Sequence, residues 1–142
     1  IYRTRMAIAD GGELIVLAPG VSKFGEDAQV DKLIRKYGYR GRIHTLEEFE
    51  KPENQDLRDN MGAAAHLIHG SSDGRFTITY AVKEISQEEI RGVGFQAAGY
   101  DEMVKRYDPE KLSYGYNTLP DGEEIYFIPN PALGLWINRE KF

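Results

Sequence analysis

The chain has no cysteine, which excludes disulfides, thiolate catalysis and cysteine-ligated zinc or iron–sulfur centres. No apolar run approaches the roughly 20 residues that a membrane span requires, so no membrane partner is expected. Positive charge is in short supply: 18 Lys and Arg stand against 23 Asp and Glu, for a net charge of −5. Nucleic acid, whose phosphates need a basic face, is therefore not expected as a partner. The glycine spacing of a dinucleotide fingerprint or a P-loop is missing, which argues against nucleotide binding. Internal repeats, linkers and low-complexity tracts are missing too.

What remains suits one soluble globular domain over residues 1–142, with 41% hydrophobic and 29% charged residues. The chain opens on Ile1-Tyr2-Arg3-Thr4-Arg5 with no initiator Met and no leader. It is therefore expected to be part of a longer protein, and a cytoplasmic one, as the absence of cysteine also suggests.

Residues 13–18 form a nearly continuous apolar run closed by Pro19-Gly20. That pattern predicts a strand buried on both faces, as in the middle of a parallel sheet. Residues 27–37 place Val30, Leu33, Ile34 and Tyr37 at helical spacing, with acids at the start, bases at the end and Gly38 as cap. A capping-box pattern at Thr45–Glu48 predicts a short second helix ended by Pro52. Residues 55–68 predict a third, with Leu57, Met61, Ala64, Ala65 and Ile68 on one face. Gly70–Gly74 is a turn cluster. Residues 75–82 alternate and are β-branched or aromatic at Phe76, Ile78, Tyr80 and Val82, which predicts a second strand. Ser86-Gln87-Glu88-Glu89 is another capping box, and residues 95–98 suit a brief strand. Asp101 is expected to cap a helix bearing Met103, Val104 and Tyr107. Residues 112–122 look irregular, and 124–128 form a last strand. The fold class that follows is α/β: a parallel or mixed sheet flanked by helices.

In such sheets ligands bind beyond the carboxyl ends of the strands, here residues 19–26, 83–86 and 129–132. The first loop carries Lys23 and leads into a helix N-terminus able to attract an anion. Arg3 and Arg5 together could hold a carboxylate in bidentate fashion. His66 and His69, three apart on a helix, lack the third ligand that a metal site needs. By helical angle His66 points away from the apolar stripe and His69 lies on its flank. Glu47-Glu48, Glu88-Glu89 and Glu123-Glu124 stand near no nucleophile or base partner.

Residues 3–20 (RTRMAIADGGELIVLAPG), Phe24-Gly25-Glu26-Asp27, residues 33–39 (LIRKYGY), residues 63–71 (AAAHLIHGS) and residues 130–136 (NPALGLW) together resemble the C-terminal domain of nickel-dependent lactate racemase homologues. The resemblance implies one half of a two-domain racemase or epimerase of 2-hydroxy acids. A nickel pincer nucleotide in the N-terminal domain takes and returns a hydride there, while two histidines of that domain act as acid and base. This chain would then need its own N-terminal domain as partner and would hold no cofactor or catalytic residue itself. The family's Tyr-Gln-x-x-Lys segment lines the substrate site. Tyr2 matches its tyrosine, Arg3 stands in the glutamine position, and Arg5 comes one residue before the lysine. Tyr2, Arg3, Arg5 and Lys23 are the expected substrate contacts, and the extra arginines suit a sugar acid better than lactate. The alternative is a non-catalytic ligand-binding or assembly module. A metal hydrolase built on His66 and His69 is a third reading.

Overall fold

The computed structural model describes residues 1–141 and is α/β. Strand β1 (Glu13–Leu17) leads through a loop to α1 (Ala28–Tyr37), then α2 (Arg42–Glu50), α3 (Gln55–Arg58) and α4 (Met61–His69). Then come β2 (Thr77–Ala81), α5 (Gln87–Gly92), β3 (Gln96–Ala97) and α6 (Tyr100–Arg106). A hairpin of β4 (Gly115–Thr118) and β5 (Glu124–Phe127) follows. The main sheet is parallel, in the order β1-β2-β3, with Glu13 opposite Thr77 and Thr79 opposite Gln96. The hairpin is a separate antiparallel sheet. None of the described helices is long and apolar enough to cross a membrane.

α1 forms as its spacing predicts. Asp27 accepts from the backbone N–H groups of Gln29 and Val30 (2.8 and 2.9 Å), and Val30, Leu33, Ile34 and Tyr37 are buried. Between Phe24 and α1, Gly25 sits at φ 74°, and a Cβ there would stand 2.4 Å from Val30 Cγ1. Glycine is thus required on two counts, by its backbone conformation and by the close approach of α1.

Other expectations need correction. β1 is an edge strand whose residues 14–17 are only half-buried. β2 is the middle strand, buried on both faces through Ile78 and Thr79. α2 starts three residues before Thr45, whose hydroxyl instead donates back to Gly41 O (2.8 Å). The 55–68 helix is two helices broken at Asp59-Asn60, and Asn60 caps the second through Ala63 N. The break rotates the buried stripe of α4 to Ala63, Ala64 and Leu67, leaving Met61 and Ala65 exposed. α6 begins after Gly99, so Asp101 lies in its first turn and is not the cap. Residues 112–122 contain β4, and β5 joins β4 instead of the main sheet.

The core lies between the sheet and α1, α4 and α5. Tyr39 stacks on Phe95 (4.5 Å between centroids), Phe95 meets Tyr80 (4.8 Å) and Tyr80 meets Phe24 (6.3 Å). Burial pushes the Tyr80 phenol up to about 12.

The capping box on α5 is complete: Ser86 Oγ accepts from Glu89 N, and Glu89 Oε2 accepts from Ser86 N (2.8 Å). Glu89 is pushed down to about 2 by the Ser86 backbone N–H, then the Ser86 hydroxyl and Arg35. A depressed carboxylate stabilises the fold above its unfolded pKa of about 4.3 and loses that contribution as pH falls toward the folded value. The gap in melting temperature between wild type and Glu89→Gln should therefore be constant above about pH 5 and narrow on acidification to pH 2. An unchanging gap across that range would refute it.

Candidate functional site

The N-terminal segment is a compact turn. Thr4 N and Arg5 N both donate to Ile1 O at 3.0 Å, and Ala7 N donates to Thr4 O at 2.9 Å. This buries Thr4 and leaves Tyr2 and Arg3 on the surface. The C-terminal segment runs beside the turn, with Trp136 N donating to Arg3 O (2.9 Å) and Arg3 Nη1 donating to Gly134 O (3.2 Å).

Arg5 goes the other way. Its Nη2 meets Asp73 at 2.7 Å, its Nη1 donates to Ile68 O at the end of α4, and its buried Nε has no partner. Asp73 also accepts from Arg42 N at 2.6 Å, capping α2. The two guanidiniums therefore diverge and form no bidentate clamp. Arg3 stays available to solvent, whereas Arg5 fastens the turn to the 70–74 loop. Arg75 reinforces this by donating to Ile8 O (3.0 Å) and pairing with Asp10 (2.8 Å).

Lys23 is exposed on the loop that leaves the carboxyl end of β1. The N-terminal turn is fastened to the loop that enters β2. These are opposite ends of parallel strands, so Lys23 and the Tyr2–Arg5 turn form no common cluster. The N-terminus of α1 offers little to an anion, because the Asp27 carboxylate already takes its first N–H groups. At the second loop, Lys83 lies 4.9 Å from the Tyr100 ring centroid and 3.6 Å from Asp101. Residues 129–132 follow β5 and so do not lie at a carboxyl end of the parallel sheet.

The histidines separate. His66 is half-buried, not turned to solvent, and its Nδ1 lies 2.9 Å from the Tyr39 hydroxyl. Desolvation lowers its pKa, so it is neutral near pH 7. His69 is exposed and meets the Tyr2 ring edge-on at 5.5 Å. Among the described residues no three His, Asp or Glu side chains gather as a metal-binding set. The donor set of the described residues thus does not fit a nickel centre.

Two features were not legible in the sequence. One is a surface aromatic group: Trp136 Nε1 donates to the Tyr114 hydroxyl (3.0 Å), and Tyr114 and Tyr116 meet Tyr126 edge-on. Tyr116 is 84% exposed, as is Leu133 beyond it. Alternation at Tyr114 and Tyr116 was the available signal, hidden among glycine, asparagine and proline. The other is a groove of about 480 Å³ between β1 and β5, lined mainly by apolar side chains.

No family model and no curated protein matches the chain. Among solved structures it is similar to a Thermotoga maritima protein, determined as a structural-genomics target, with a TM-score of 0.61 and 22% identity. The match covers 92% of this chain and 31% of that one. At that identity the likeness establishes the fold, an α/β domain that in the Thermotoga protein makes up about a third of the polypeptide.

Proposed function

We propose that the chain is the C-terminal, substrate-closing domain of a cytoplasmic racemase or epimerase of 2-hydroxy acids, inactive without its N-terminal domain. The observation that carries this reading is the N-terminal turn. Its sequence is the part that resembles the racemase substrate segment, and it stands on the surface with Tyr2 and Arg3 outward. The nickel pincer nucleotide belongs to the other domain, and no chemical step falls to residues of this one. Their work is to bind and orient: Arg3 offers a guanidinium to a carboxylate and Tyr2 a hydroxyl, while Lys23, at the other end of the strands, stands outside this site. Arg5 serves as a positioning residue, since Asp73 already occupies it.

In the full-length holoenzyme, Arg3→Ala should raise KM or lower turnover by about 10- to 100-fold, the worth of one charge-assisted hydrogen bond. Arg3→Lys should restore part of the loss, and a larger penalty with sugar acids than with lactate would identify the substrate class. Kinetics unchanged in Arg3→Ala would sink the proposal.

The exposed Tyr116 and Leu133 favour the second reading, an assembly module without chemistry. A parent protein that racemises no hydroxy acid, yet binds through this aromatic surface, would select it.

A further inference from the structure

The groove beside β1 has an unusual wall. All five consecutive residues of β1 line it, as do residues 123–129 on the opposite side. Successive side chains of a strand point to opposite faces. Consecutive residues border one cavity most directly where it runs along the strand's edge. Hydrogen-bond phase agrees. Thr77 N donates to Gly12 O, and Ala18 N donates to Ala81 O. Even-numbered residues of β1 thus serve the ladder to β2, and Glu13, Ile15 and Leu17 turn their N–H and C=O groups into the groove. In the hairpin, Leu119 N donates to Glu123 O. The odd residues of β5 therefore face β4, while Glu124, Tyr126 and Ile128 face the groove. Two free strand edges confront each other across the gap.

The composition of β1 is a second, independent observation. After Glu13, Leu14-Ile15-Val16-Leu17 is the run of an inner strand, with no further charge, proline or bulge to protect an edge. The strand is only half-buried in this chain because its outer edge has no neighbour.

We infer that the groove is the seat of a further β-strand, supplied by another part of the same longer polypeptide. This rests on the proposal that the chain is one part of a larger protein. The strand pairs with β1 on one side and β5 on the other, joining the two sheets into one. Its residues are mainly apolar, since both walls are. Its length is about five residues, matching β1, and that argues for a tethered source. So short a strand pairs more readily from within the same chain, where its pairing is intramolecular and avoids the entropy of association of a separate molecule.

Hydrogen exchange on the 142-residue chain and on the full-length natural product tests this without any substitution. In the 142-residue chain, the Ile15, Leu17, Tyr126 and Ile128 amides should exchange at least about 100-fold faster than Leu14 and Val16. In the full-length product they should slow by about 100-fold or more, independent of protein concentration. Equal rates in the two proteins would overturn the inference, and protection that fades on dilution would overturn the tethered source. Protection without racemase activity would sink the functional reading alone.

Discussion

Leu67→Ala should lower the free energy of unfolding by about 3–5 kcal/mol, the upper part of the range for a leucine removed from a well-packed interior. Leu67 is fully buried on α4, the helix that packs against α1, α2 and α3. Those three helices are each fixed by their own contacts. They cannot all move inward, and a cavity remains to add to the lost transfer free energy. Total stabilities of domains run at about 5–15 kcal/mol, so the variant should be partly unfolded at moderate urea. Met61→Ala on the same helix is the control. Met61 is 64% exposed, and its loss should fall within about 0.5 kcal/mol. Urea unfolding of both variants decides the matter. Similar midpoints for the two would show that α4 is not the keystone of the helical layer.

That contrast shows where sequence patterns were informative. Met61 and Leu67 both sit in one apolar stretch, and a single helix over 55–68 puts Met61 on the buried face. The Asp59-Asn60 break, set by the Asn60 side chain reaching Ala63 N, shifts the phase and exposes it. Periodicity within α1 was reliable because its caps, Asp27 and Gly38, are local. α2 was misplaced because its cap is remote. Gly41 has no side chain, and the carboxylate that receives Arg42 N belongs to Asp73, 31 residues away. The order of strands was inverted for a related reason. An apolar run reports how much burial a strand requires, and β1 requires more than the described residues provide. Of the expected site residues, Tyr2, Arg3 and Lys23 lie on the surface. The separate duties of Arg3 and Arg5 could not be read from their spacing, since they depend on a turn that directs one outward and the other inward.

Asp73→Ala should cost about 2–4 kcal/mol, although Asp73 lies on a surface loop. Three effects combine. The Arg5 guanidinium, whose side chain is 14% exposed, loses its counter-ion while its Nε already has no partner. Leaving a fully buried charge unpaired costs about 3–5 kcal/mol, and partial exposure brings this to about 1–2. Loss of the cap on α2 adds about 1 kcal/mol. Asp73 has φ 52°, a conformation aspartate tolerates better than alanine, worth up to about 1 more. Asp73→Asn keeps the backbone preference and an oxygen for Arg42 N, so only the ionic part should be lost. Arg5→Met with Asp73→Asn should be milder than Asp73→Ala, because no charge is then stranded. Losses below about 0.5 kcal/mol for Asp73→Ala in urea unfolding would show that the pair is solvated and idle. The same pair anchors the turn that carries Tyr2 and Arg3. On the proposed function, Asp73→Asn in the full-length protein should therefore raise KM through misplacement of Arg3, with no added effect in an Arg3→Ala background. Independent penalties in the double variant would mean that the ion pair stabilises the fold without positioning the turn.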